Sequence, residues 1–158
     1  MRLKNIQDTN FQDYCKTSML IATCFCDGKC WRERGLDHSD CHNDALLAEP
    51  IIEEDDDALI ERYLNNPLSQ AIIFGGLEPM FQFDEILTFI KKFREKCDDD
   101  VLIYTGYTQG EIAVEIEALR QFPNIIVKFG RYIPDSKPHY DEVLGIELVS
   151  ENQFAIKL

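Results

Sequence analysis

Ala71-Ile72-Ile73-Phe74-Gly75-Gly76-Leu77-Glu78-Pro79 is the stretch that decides the fold. Residues 71–74 are an apolar run too short for a buried helix and closed by a glycine pair, so they read as a buried strand. Beyond Pro79 the period changes: Ile86, Leu87, Phe89, Ile90 and Phe93 recur at helical spacing, with Lys91, Lys92, Arg94, Glu95 and Lys96 turned outward. The same unit follows downstream. Residues 101–104 read as a strand ending at Thr105-Gly106-Tyr107-Thr108, residues 111–122 as a helix through Ile112, Ile116 and Leu119, and residues 125–129 as a strand ending at Gly130-Arg131-Tyr132. Upstream, residues 16–22 form a first short strand. The acidic run 53–57 suits a helix N-terminus, Leu59, Ile60, Tyr63 and Leu64 share one helical face, and Asn66-Pro67 stops it. Strands alternating with helices predict an α/β fold with a mostly parallel sheet. The short runs 147–149 and 154–157 are expected to add an edge hairpin, residues 46–52 read as a connector, and residues 1–14 give no assignment.

A chain of 158 residues is about one domain, taken here as 1–158, and is large enough to bury a core without staples. No apolar leader and no apolar run of membrane-spanning length are visible, so a cytoplasmic protein without membrane association is expected. In that compartment clustered cysteines bind metal or do redox work more often than they form disulfides. The net charge of −13 argues against a nucleic-acid partner, because phosphate binding rests on basic surface. Its simplest consequence is solubility.

Residues 23–43 hold four of the six cysteines: Cys24, Cys26, Cys30 and Cys41. They follow the first strand on a charged, glycine-containing loop, and thiolates gathered on one loop point to a metal. A structural zinc site, closed by all four, is one reading. Cys15 and Cys97 lie outside the loop and read as ordinary thiols. His38 and His42 are either ligands or exposed loop residues, and His139 and Arg131 either contact a substrate or serve the surface and packing. The cysteine loop, Gly75 to Pro79, Thr105-Gly106 and Gly130-Arg131 each sit just past the carboxyl end of a predicted strand. In a parallel sheet those ends share one edge, where such sheets place their ligands.

These loops together resemble those of radical S-adenosylmethionine enzymes. Cys26-x3-Cys30 follows a first strand, Gly75-Gly76-Leu77-Glu78-Pro79 a second and Tyr104-Thr105-Gly106-Tyr107-Thr108 a third. The small activating proteins of anaerobic ribonucleotide reductase are most similar. Cys41-His42-Asn43 resembles the Cys-x-Asn that ends their cluster motif, Gly130-Arg131-Tyr132 their late Gly-Arg-aromatic segment, and Ser150-Glu151-Asn152-Gln153 a Ser-x-Asn-Gln near their C-terminus. One departure falls within the cluster motif. Cys30 and Cys41 are separated by ten residues where the family has two, so residues 31–40 read as an insertion, which loop-closure entropy tolerates. Asp40 stands where the family has an aromatic residue against the adenine.

The resemblance implies a partial (β/α) barrel and a [4Fe–4S] cluster held by Cys26, Cys30 and Cys41, with Cys24 outside it. Three thiolates leave one iron without a protein ligand. In the family that iron is chelated by S-adenosyl-L-methionine, whose reductive cleavage gives methionine and a 5′-deoxyadenosyl radical. Gly75 and Gly76 would let backbone approach the methionine moiety. Glu78 would accept a hydrogen bond from its amino group, acting in cofactor binding rather than in folding. Thr105 and Ser150 are candidates for ribose or carboxylate contacts. The implied partners are the large subunit of an anaerobic ribonucleotide reductase, on which a glycyl radical is installed, and an electron donor such as flavodoxin or ferredoxin. The alternatives are a zinc-stabilised α/β binding module without turnover and a radical enzyme with another substrate.

Overall fold

The computed structural model describes residues 1–41 and 43–158; His42, weighed above as a ligand, lies outside them. In chain order the elements are β1 (Arg2–Leu3), β2 (Asn5–Asn10), β3 (Ser18–Thr23), α1 (Lys29–Arg32), α2 (Asp44–Ala48), β4 (Ile52–Glu53), α3 (Asp56–Leu64), β5 (Ala71–Gly76), α4 (Phe83–Arg94), β6 (Asp100–Tyr104), α5 (Ala113–Leu119), β7 (Ile125–Phe129), β8 (His139–Asp141), β9 (Ile146–Leu148) and β10 (Phe154–Lys157). Six strands form a mixed sheet in the order β10-β7-β6-β5-β3-β2. The central four are parallel, with Ala71 beside Ser18 and Asp100, and Val101 beside Ile125. β2 and β10 run antiparallel along the two edges.

Parallel neighbours need a crossover connection, and α3, α4 and α5 supply the three. All three pack on one face. Leu59, Ile60 and Tyr63, then Ile86, Phe89, Ile90 and Phe93, then Ile112, Ile116 and Leu119 join Met19, Ile21, Ile72, Phe74, Val101, Ile103, Ile125 and Val127 in one core. Phe74 meets Phe89 edge-on at 5.3 Å between ring centroids. On the other face Ala71, Ile73, Leu102 and Ile126, with Ala155 from the edge strand, are packed against Tyr14, Leu144 and Leu148. Strands buried on both faces are apolar throughout rather than alternating, which is why the central ones read clearly in the sequence. The acidic run caps its helix as expected, Asp55 accepting from the N–H groups of Asp57 and Ala58.

The expected edge hairpin is corrected. β9 pairs with β8, and β10 joins the main sheet beside β7, with Phe154 opposite Phe129. Residues 5–10, left unassigned above, form β2, a polar edge strand held by its ladder to β3 rather than by its own apolar content. The connector 46–52 contains the end of α2 and the start of β4. Leu64, in the last turn of α3, is half-exposed instead of packed with its helical neighbours. Among the described residues no helix is long and apolar enough to cross a membrane.

Candidate metal centre

The chain leaves β3 at Thr23 and runs along the carboxyl edge of the sheet as the cysteine loop. Backbone and side chains stitch it to the neighbouring strand ends. Thr23 Oγ1 donates to Gly75 O at 3.1 Å, Glu78 N–H to Phe25 O at 2.7 Å, and Asn43 Nδ2 to Gly76 O at 2.6 Å. Farther along the edge, Tyr107 O–H donates to Asp27 Oδ2 at 2.9 Å, Lys29 pairs with Glu111 at 3.3 Å, and Arg131 pairs with Glu33 at 2.8 Å and Glu111 at 2.6 Å. Arg131 thus has a defined packing role: it clamps the segment between Cys30 and Cys41 to the ends of β6 and β7.

The loops enclose a cavity of about 740 Å³, within the usual range for small-molecule sites. Cys26, Cys30 and Cys41 line it, as do Gly75, Gly76, Glu78 and Thr105. Cys24 does not. It is buried, its N–H donates to Gln82 Oε1, and burial raises its thiol, with Lys4 and Arg2 opposing. Cys15, Cys97, His38 and His139 are also outside the wall; His38 pairs with Asp44 at 3.0 Å on the surface.

The thiols influence one another. Although Cys26 as a residue is exposed, desolvation of its thiol pushes it up to about 11, reinforced by Cys30, Glu78 and Asp27 and opposed by the Gly28 N–H at 3.2 Å. Burial likewise raises Cys30, with Glu78 and Cys41 adding to it and the Tyr132 backbone and Arg131 opposing. Metal binding must therefore displace thiol protons. Among the described residues no three His, Cys, Asp or Glu side chains converge tightly enough to hold one ion. Thiolates bound to different corners of a cluster stand farther apart than ligands sharing a single ion.

Glu78 is 6% exposed and burial raises its carboxyl, with hydrogen bonds opposing. Oε1 accepts from Thr105 Oγ1 at 2.7 Å and Met80 N–H at 3.1 Å, and Oε2 accepts from Gly106 N–H at 2.8 Å. It therefore serves the fold as well as facing the cavity: it caps the 3₁₀ turn Pro79–Gln82 and ties the ends of β5 and β6 together. Thr105 spends its hydroxyl on Glu78 and accepts from Tyr107 N–H at 3.0 Å. A Cβ at Gly106 would come within 3.3 Å of Cys30 Sγ and 3.4 Å of Glu78 Oε2, so the glycine keeps open the space between thiol and carboxylate. At Gly76, with φ of 86°, a Cβ would stand 2.7 Å from Leu46. Ser150 is not brought to the cavity; its hydroxyl is fully buried and exchanges hydrogen bonds with the Ile133 backbone at 2.9 and 3.2 Å. The sequence reading passed over Lys128, which lines the cavity from β7. A lone charge inside the apolar run Ile125-Ile126-Val127-Lys128-Phe129 was the available signal.

A mixed sheet carrying three thiols and a buried carboxylate on one cavity at the ends of its parallel strands defines the class, an α/β protein with a thiol-lined cavity at its sheet edge. The chain belongs to the 4Fe-4S single cluster domain family, whose model matches residues 21–153. No curated protein and no solved structure gave a match. The family makes this an iron–sulfur cluster-binding domain, and a donor set of three thiols on one cavity, with space kept clear by Gly106, fits a [4Fe–4S] group.

Proposed function

We propose that the chain, taken as one domain, is a radical S-adenosylmethionine enzyme of the glycyl-radical-activating type, with an anaerobic ribonucleotide reductase as its protein substrate. The observation that carries this reading is that Cys26, Cys30 and Cys41 line the same cavity as Gly75, Gly76 and Glu78 while Cys24 does not. When bound, a cluster with one iron free of protein ligands supplies the electron that cleaves S-adenosylmethionine. Cys26, Cys30 and Cys41 would hold that cluster. Glu78 has about four lone-pair positions and three protein donors, which leaves one acceptor for the amino group of the cofactor. Gly75 and Gly76 would let the β5 backbone lie against the methionine chain. Thr105 would act mainly by holding Glu78, and Ser150 by shaping the segment around Ile133. Packing of all three crossover helices on one face supports a partial (β/α) barrel, since a doubly wound sheet carries helices on both faces. A protein partner would then close the cavity mouth and exclude water during the radical step, and a flavodoxin- or ferredoxin-like donor would supply the electron.

Anaerobic reconstitution with iron and sulfide tests the reading in stages. A brown protein that, once reduced, converts S-adenosylmethionine to methionine and 5′-deoxyadenosine supports the radical chemistry; a loaded cluster without that cleavage overturns it. Adding the anaerobic reductase of the same organism should give an oxygen-sensitive glycyl radical by electron paramagnetic resonance. Cleavage without a glycyl radical would move the assignment to another substrate.

A further inference from the structure

The cavity wall carries Asp13, Glu49, Glu78 and Glu147 as well as the three thiols, yet Lys128 is the only Lys or Arg among its described residues. This lysine sits on central strand β7, 8% exposed, between buried Val127 and Phe129. Its cross-strand neighbour is Tyr104, whose ring centroid is 5.9 Å from Nζ. Its hydrogen bond is to Gly130 O at 3.3 Å. An ammonium group has three donors, and one long bond to a carbonyl leaves most of its charge uncompensated. Holding an ammonium out of water costs several kcal/mol unless an anion faces it. Burial pulls Lys128 down to about 8 even though Cys30 and Glu78 favour its charged form. Glu78 is already engaged by Met80, Thr105 and Gly106. Cys30, the larger of the two influences that favour the charge, belongs to the thiol set that would hold the cluster. Three thiolates around a [4Fe–4S]²⁺ core leave one net negative charge, and one-electron reduction adds a second, so a fixed cation favours the reduced form over the oxidised one.

We propose that the Lys128 ammonium is the built-in counter-charge of the cluster, raising its reduction potential into the range of a low-potential one-electron donor. The donor loses one electron and the cluster gains it; no bond or proton is exchanged. Lys128 acts through the field at the thiolates and not as a ligand. The inference rests on the cluster reading and is independent of S-adenosylmethionine, which is left out of the test, so its failure and that of the radical reading are distinguishable.

The test compares wild type, Lys128→Met and Lys128→Arg after anaerobic reconstitution, by iron content and by redox titration monitored by electron paramagnetic resonance. Lys128→Met keeps the length of the side chain and removes the charge. Its equilibrium constant for reduction should fall at least tenfold, about 59 mV for a one-electron couple, while Lys128→Arg should stay within about threefold of wild type. Full iron content with an unchanged potential in Lys128→Met overturns the proposal. A wild-type measurement covers the case in which that variant does not fold. In loaded, oxidised protein with labelled lysine, the Cε resonance of Lys128 should report an ammonium near pH 7, and a neutral amine there overturns the proposal. A wild type that takes up no iron removes the cluster reading together with this one.

Discussion

The Glu78 carboxylate has three of its lone-pair positions taken by Met80, Thr105 and Gly106, so a change there reaches the fold and the cavity together. Glu78→Gln puts an amide NH₂ against one of those donors. It should cost about 1–3 kcal/mol, read as a fall of about 2–4 °C in Tm per kcal/mol at this chain length. If the proposed radical chemistry holds, binding of S-adenosylmethionine to the loaded variant weakens as well. A variant that loses affinity with no change in melting would show that the hydrogen bonds to Thr105 and Gly106 contribute little. For the cysteines, Ala at 26, 30 or 41 should abolish iron uptake, and Cys24→Ala should retain it because that thiol does not face the cavity; iron analysis after reconstitution decides. Part of this was readable from residues alone. The choice of Cys26, Cys30 and Cys41 over Cys24 came from the family resemblance, and those three thiols line one cavity. Ser150, expected at the site, lies outside the cavity lining and Lys128, passed over, lies within it, because whether a buried polar side chain faces a cavity or a backbone depends on tertiary placement that spacing does not encode.

At the scale of elements, the cysteine loop is held over the sheet by charge. Arg131 pairs with Glu33 between the second and third cavity thiols and with Glu111 after β6. Glu111 is held well below the usual glutamate range, first by the Arg131 hydrogen bond and then by the Thr108 and Lys29 contacts. A depressed carboxyl stabilises the folded state fully above its ordinary value of 4.5 and loses that contribution as pH falls toward the depressed value. The difference in Tm between wild type and Glu111→Gln should thus be constant from neutral pH down to about 5 and shrink below it. A difference that grows on acidification would contradict the latch. The helices behave otherwise. Phe89 in α4 is fully buried between Phe74 and Phe93, and Phe89→Ala should cost about 3–5 kcal/mol by urea unfolding. The central strands and α4 were legible because double-sided burial and a clean helical stripe leave a strong pattern. α5 begins at Ala113 rather than 111, since Glu111 bends back to accept from Thr108 N–H at 2.9 Å and closes a turn first.

Across the whole molecule, three crossovers on one face free the other for a cavity at its upper end and for the 8–9 strand pair and Leu144 below. That division was only half visible in the sequence. Alternation of strands and helices predicted the parallel core, but both antiparallel edge strands escaped it: β2 because its residues are polar, and β10 because two short apolar runs near each other looked like partners. In fact β10 covers the outer flank of β7, Ala155 opposite Lys128 and Ile156 opposite Val127, with the Phe154 ring stacked 5.5 Å from Phe129. This order has a consequence during synthesis. The strand Ile-Ile-Val-Lys-Phe is complete some 25 residues before the segment that shields it, so a nascent chain leaving the ribosome carries an unpaired, strongly β-prone edge until residues 154–157 emerge. Such edges template self-association. Translation halted after residue 153 should therefore yield insoluble product, while the same chain released four residues later should stay in the supernatant.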